Sequence, residues 1–584
     1  MPRRPTLFHL VPAAAAGIAS SAWAARWLYR PARSGAPPIV SPSSIAGYPA
    51  VGNAIVYFSG LALGVLFAFL LARFDADRTR AWVGRALATL SRPRVALSAG
   101  LVLFAAFVVN NSLGNPAGPV YDLFHEGETL GFKPAFRQLA HPFERTFLIH
   151  GFGMDVLPSL AADLVSRPGH GIAVARAFLM AEEAGTWIAL LWLVFEVLRW
   201  AAPGERRIRT AALAAFCLAH PFFYVVTVPR SLASFCQTAA TLRFLGAGPR
   251  GEARTWRQTA LAFAIGASLP LALLYNYSEA VAFGGVFAAV SGIAAAQGRK
   301  TLNAWLRGAA PGIAAGIAVL LVSLGGSQVR AMLSTVMYWI EVGGWIWAQP
   351  ILQTSILKQR YFWPIAGAHL LVVVYLGTRV RSSGWRDSLR ADADIWTLLV
   401  LSLASTKTWI DRPDSPHLAL GAILATALLV SLAVRWWVAG RSQPGARSPL
   451  IVAAGAALLV FGGGPAQFDP TAAWTKLGEY RSGQRTLDAN ELTGDLQESA
   501  ARLGPEIRSQ RCFFTLTSEG VWYYLFDKPS CSRFHQLIYA RTPRTQREVV
   551  DDLRRENPGI VLFRNAGYGN WIDGITVGNS NHFV

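Results

Sequence analysis

Residues 95–112 read VALSAGLVLFAAFVVNNS, and residues 119–128 just beyond them read PVYDLFHEGE. The first string carries no charge over a length that crosses a bilayer as a helix. The second packs Asp122, His125, Glu126 and Glu128 into ten residues. Hydrocarbon leaves no partner for an unpaired backbone N–H or C=O, so such an apolar run is a helix and not an open strand. The pair of strings therefore describes a helix in lipid with titratable chemistry at its mouth.

The same apolar signal recurs outward in both directions. Spans are expected at 7–25, 52–72, 95–112, 172–198, 210–227, 229–246, 258–275, 277–296, 309–326, 361–378, 393–409, 416–437 and 449–463. The expected fold class is an α-helical polytopic membrane protein of about 13 transmembrane helices, with a small C-terminal α/β extracytoplasmic domain. The expected domains are residues 1–463 and 464–584. Composition agrees: 53% of the 584 residues are hydrophobic and only 15% charged, against about 25% charged in soluble proteins. Ser21-Ala22-Trp23-Ala24 also fits a signal-peptide cleavage site; with or without cleavage the next loop lies outside.

A formal net charge of +20 invites a nucleic-acid partner, but its distribution excludes that need. Lys and Arg gather in alternate loops, as in Arg73 to Arg94, Arg199 to Arg209, Arg243 to Arg257, Arg299 to Arg307 and Arg379 to Arg390. That alternation is the positive-inside pattern, which sets orientation. It places the N-terminus in the cytoplasm and three long segments outside: 113–171, about 327–360, and the tail. In the first, Phe136–Ala140 and Asp155–Ala161 read as interfacial helices. In the second, Tyr338, Trp339, Trp345 and Trp347 suit the headgroup level. In the tail, a helix opening at Asp488, a strand at Cys512–Leu516, a helix at Thr545–Glu556 and a strand at Ile560–Phe563 predict a parallel strand pair. Cys512 and Cys531 could pair there if the tail is extracytoplasmic; Cys217 and Cys236 read as inert packing residues.

If 119–128 is helical, Asp122, His125 and Glu126 share one face. Two carboxylates and an imidazole can take a proton or hold a divalent cation; the bland alternative is a solvated loop. A second cluster, Lys407, Asp411, Arg412, Asp414 and His417, brackets a proline-stiffened turn. Arg412 there suits a phosphate or carboxylate, and the bland alternative is a cap between two spans. His150 reads first as structural and second as a substrate contact. Arg230 is a snorkelling anchor or a phosphate contact. Glu279, at membrane depth after Asn276-Tyr277-Ser278, is a functional candidate by default. Glu182 and Glu183 share that argument with less force. Lys358 could touch an anionic lipid head.

These motifs resemble the GT-C superfamily of polytopic glycosyltransferases, relatives of the protein O-mannosyltransferases and of the aminoarabinose and arabinofuranose transferases. The resemblance rests on Asp122-x-x-His125-Glu126-Gly127, His150-Gly151, Pro229-Arg230 and Arg412-x-Asp414-x-x-His417. The tail segment Leu516 to Leu525 is similar to the extracytoplasmic domain many of them carry. The layout is shared along most of the chain; the motifs are short, and the acidic one follows the third span instead of the first. The resemblance implies a polyprenyl-phosphate sugar donor, a lipid, glycan or protein acceptor, and inversion at the anomeric carbon. It implies a carboxylate base, Asp122 or Glu126, and phosphate contact by Arg412, Arg230 or Lys358. A divalent cation is a candidate cofactor with no assigned ligands. Ala, Arg and Gly richness points to a bacterial inner membrane. The rivals are a transporter or lipid flippase, a polysaccharide polymerase or ligase on a similar frame, and a membrane anchor for the tail.

Overall fold

The computed structural model describes residues 93–118, 125–219, 231–246, 255–346, 362–411, 415–441, 471–516 and 519–563, with short pieces at 57–58, 61–62, 571–572 and 575–576. The expected spans 7–25 and 449–463, most of 52–72, and the domain boundary at 463 lie outside the described residues. The long helices are α1 (Pro93–Ser112), α2 (Gly171–Ala201), α3 (Arg206–Ala219), α4 (Leu232–Gly246), α5 (Thr255–Tyr275), α6 (Tyr277–Gln297), α7 (Arg299–Leu324), α8 (Gly326–Ile346), α9 (Phe362–Ser383), α10 (Ala393–Asp411) and α11 (Ser415–Arg441). Among the described residues α2, α5, α6 and α7 are long and apolar enough to cross a membrane.

Two expectations about the bundle change. The segment 327–360 is not a loop throughout, because α8 occupies Gly326–Ile346; only Gly325, at φ 78°, separates it from α7. Tyr338, Trp339 and Trp345 sit on that helix, and Tyr338 is buried; Trp347 lies outside the described residues. The span expected at 309–326 starts ten residues earlier, at Arg299. A hydropathy window discards Arg299, Lys300 and Arg307, yet arginine and lysine are good helix formers.

Small residues bring α5 and α7 together. A methyl group on Gly308, Gly312 or Gly316 would collide with the carbonyls of Thr259, Phe263 and Ala267 in turn, and one on Gly266 with that of Ala309. Glycine at every fourth position lets two backbones touch, the packing that stands in for hydrophobic driving force in lipid. The ordered contacts also show that α5 and α7 run parallel.

Similar contacts orient the rest. Gly185 faces Leu232, and the Trp200 indole donates to the Leu242 carbonyl at 3.0 Å, so α2 and α4 run parallel. Gly285 faces Val400 and Ala404, while Arg390, just before α10, donates to the Ala296 carbonyl; α6 and α10 are antiparallel. One end of the bundle therefore gathers the starts of α2, α4 and α6 and the finishes of α5, α7 and α10. The opposite end gathers arginines. Glu196 meets Arg199 at 2.6 Å and Arg243 at 3.0 Å. Asp392 meets Arg379 at 3.1 Å and Arg435 at 3.0 Å, and Asp394 pairs with Arg435 as well.

The first end is capped by residues 113–118, 125–171 and the described part of the tail, folded together. Strands β1 (Phe514–Thr515) and β2 (Val561–Leu562) pair in parallel, and Cys512 is joined to Cys531 with 5.1 Å between Cα atoms. The tail's apolar residues do not close a core alone. Phe513, Trp522, Tyr523 and Phe526 share one with Leu130, Ile172 and Val174; Phe514, Phe534 and Tyr539 share another with Phe132, Phe147, Tyr277 and Val336. Asp488 does not open the expected helix: a 3-10 turn covers Asp488–Glu491 and the helix runs Gly494–Ser509. The Asp488 carboxylate instead accepts from the Ile172 N–H at 2.9 Å, capping α2.

Candidate functional site

The site is built from the chain reversal before the short helix Phe152–Asp155. Gly151 has φ 136°, and a Cβ there would lie 2.8 Å from the Tyr275 carbonyl. Only glycine fits this crossing. The turn aims the Asp155 carboxylate back along the chain. One oxygen accepts the backbone N–H groups of Ile149 at 2.7 Å and His150 at 2.8 Å. The other meets the His150 Nδ1 at 2.8 Å. Asp155 is buried and His150 partly so. A carboxylate holding Nδ1 fixes the ring's orientation and leaves Nε2 for chemistry.

The next layer is the start of α6. The Tyr277 N–H donates to the His150 carbonyl at 2.8 Å. The Asn276 side chain caps the helix, accepting from the Ser278 N–H at 2.9 Å and the Glu279 N–H at 3.3 Å. Buried Glu279 accepts from the Ser234 N–H, in the first turn of α4, at 2.7 Å. It thus sits against the positive end of a helix dipole, which favours a carboxylate. Beside it the Tyr275 hydroxyl donates to Glu182.

The helix His125–Leu130 lies against Phe152–Asp155, so the acidic motif adjoins the His150 pair. Glu126 is buried and binds Arg176 at 2.6 Å. Arg176 also reaches Glu491 of the tail at 2.9 Å and the carbonyls of Pro116 and Gly118, each at 2.9 Å. Glu128 accepts from the Tyr539 hydroxyl, while His125 is exposed.

Asp122, Arg230, Lys358, Arg412 and Asp414 lie outside the described residues, as do the side chains of Lys407, Asp411 and His417. Backbone geometry still locates the end of α10. Counting six residues from the Gly285–Ala404 contact, at about 1.5 Å per residue, brings Glu279 level with the last turn of α10. The helix end bearing Lys407 and Asp411 is thus at the capped end. Among the described residues no group of three or more His, Cys, Asp or Glu side chains could hold a metal ion.

Sequence reading missed Arg176, Glu491 and His535. Arg176 interrupts an apolar run near its outer end, the signal that should mark it. His535 is buried, with its ring centroid 3.8 Å from that of Phe132. Burial holds its pKa down at about 3, so it is neutral at ordinary pH. Burial likewise lowers the Arg541 guanidinium to about 10.

No protein-family profile matches the chain, and no curated protein does. Among solved structures it is similar to the Archaeoglobus fulgidus oligosaccharyltransferase tethered to an acceptor peptide containing the NVT sequon. The identity is 12% and the TM-score 0.39, over 79% of this chain and 68% of that one. So remote a likeness says nothing of substrate or mechanism.

Proposed function

We propose that the chain is a membrane glycosyltransferase that moves a sugar from a polyprenyl-phosphate carrier to a hydroxyl at the outer face of a bacterial inner membrane. One observation carries the reading. The oriented His150–Asp155 pair, buried Glu279 and the end of α10 occupy a single end of an apolar bundle, under a polar cap. A carrier lipid reaches that end from the bilayer, and a polar acceptor reaches it from water. Arginines gathered at the opposite end favour that end as cytoplasmic.

The acceptor oxygen attacks the anomeric carbon and gives its proton to a carboxylate. The bond from that carbon to the phosphate oxygen breaks, the polyprenyl phosphate leaves with the electron pair, and configuration inverts. We assign the base to Asp122. Glu126 is committed to Arg176 and the tail, which suits a positioning residue, with His125 at the exposed mouth. Arg412, Arg230, Lys358 and Lys407 are the candidate cations for the departing phosphate. His150, Glu279, Asp411, Asp414 and His417 are candidate contacts to the donor sugar. No step is routed through a divalent cation.

The test is mass spectrometry of lipid that copurifies with the full chain in mild detergent, followed by transfer from that lipid in proteoliposomes. The reading expects a polyprenyl-phosphate sugar that is consumed on adding acceptor. Ordinary phospholipid alone, with no transfer from added polyprenyl-phosphate sugars, overturns it.

A further inference from the structure

A cleft of 740 Å³ opens between the first loop and the tail, and none of the candidate site residues above lines it. Its volume lies within the roughly 300–1,000 Å³ of ordinary small-molecule sites. The loop contributes Lys133, Arg137, Asp163 and Arg167, and the tail contributes Asp488, Arg508, Tyr524 and Asp527.

The carboxylates in it are already engaged. Asp163 holds Lys133 at 2.8 Å and Arg137 at 3.4 Å. Asp488 caps α2 and accepts from the Tyr524 hydroxyl at 2.9 Å. Asp527 lies 3.8 Å from Arg137. Buried Lys133 covers the Tyr524 ring, 4.4 Å from its centroid. Arg167 and Arg508 have no ion pair among the described residues, and both are exposed on the cleft wall. Two planar guanidiniums with unused donors are suited to a bidentate oxyanion.

We infer that this cleft holds the acceptor through carboxylate or phosphate groups on a saccharide, with Arg167 and Arg508 as the contacts. The saccharide identity rests on the transferase reading, and the walls agree with it, being more polar than apolar. The oxyanion contact stands on the cleft itself.

The test is equilibrium binding to the full chain in detergent, without donor or turnover. The probes are trigalacturonate, pyrophosphate and neutral maltotriose. The double variant R167Q/R508Q removes two exposed side chains and should melt as wild type does. At least one anionic probe should bind wild type and bind the double variant at least tenfold more weakly, with maltotriose binding neither. Preference for trigalacturonate names carboxylate; preference for pyrophosphate names phosphate. The inference is overturned if neither anion binds wild type, if the double variant binds as well as wild type, or if maltotriose competes equally. Failure here leaves donor transfer untouched, so the two readings fail separately.

Discussion

The two ends of the helical bundle bury carboxylates in opposite ways. At the arginine end each acid is claimed by two guanidiniums, at least one of them from a neighbouring helix: Glu196 by Arg199 of its own helix and Arg243 of α4, Asp392 by Arg379 and Arg435. Those charges fasten helices to each other. At the capped end one oxygen of Asp155 accepts backbone N–H groups and the other orients a histidine, while Glu279 accepts the Ser234 N–H at the start of α4. Among the described residues Asp155 pairs with no arginine or lysine, so backbone dipoles and an imidazole hold it where a ligand can use its field. The Glu126–Arg176–Glu491 node is the exception, and it ties the cap to the bundle as the arginine end ties its helices.

The largest expected effects test that division. Arg435→Met removes the arginine that Asp394 pairs with and leaves Asp392 with Arg379, and Glu126→Ala leaves Arg176 with Glu491 as its remaining acid among the described residues. Breaking one partner of a buried pair costs about 3–5 kcal/mol, so both variants should melt early. Their activities should part company: transfer per folded molecule survives in R435M and falls in E126A, whose cap is loosened over the site. Equal loss of activity in both would erase the distinction between the ends.

Next comes His150→Ala. The imidazole is partly exposed but holds one oxygen of buried Asp155, so its removal should cost about 1–3 kcal/mol of stability, while transfer per folded molecule drops about a hundredfold, within the range for a positioned proton-transfer or contact group. A falling melting temperature with unchanged transfer would make His150 a structural residue, as its first reading had it.

The smallest effect is a pH dependence confined to the cap. His535 titrates at about 3 when folded and near 6.5 when unfolded. The unfolded chain therefore binds more protons between those values. The His535 contribution to stability is complete above about pH 6.5 and falls as pH drops toward 3. Hydrogen exchange across Phe132 and Phe513 should rise in that window in wild type, and less in His535→Phe. An identical profile in both would locate the acid sensitivity elsewhere.

What could be read from the chain alone depended on whether the signal was local. Glu279 at a helix mouth, the Cys512–Cys531 pair and the parallel strands near Phe514 and Val561 each rest on a few neighbouring residues and standard chain geometry. The Arg176–Glu491 contact joins residues 315 apart, and no local pattern names such a partner. Gly308, Gly312 and Gly316 acquire their role only from the α5 residues they meet, more than forty positions earlier in the chain. The α8 helix was hidden because its aromatic residues suited an interface as well as a helix. The tail read as a separate unit because strand and helix signals are local, whereas the core it shares with Leu130 and Phe147 is not.

The central proposal is that Asp122 takes the acceptor's proton. Its most direct measurement is the initial rate of sugar transfer by Asp122→Ala in proteoliposomes, beside wild type of matched melting temperature. The account predicts a fall of about a hundredfold or more; a wild-type rate from the folded variant would contradict it.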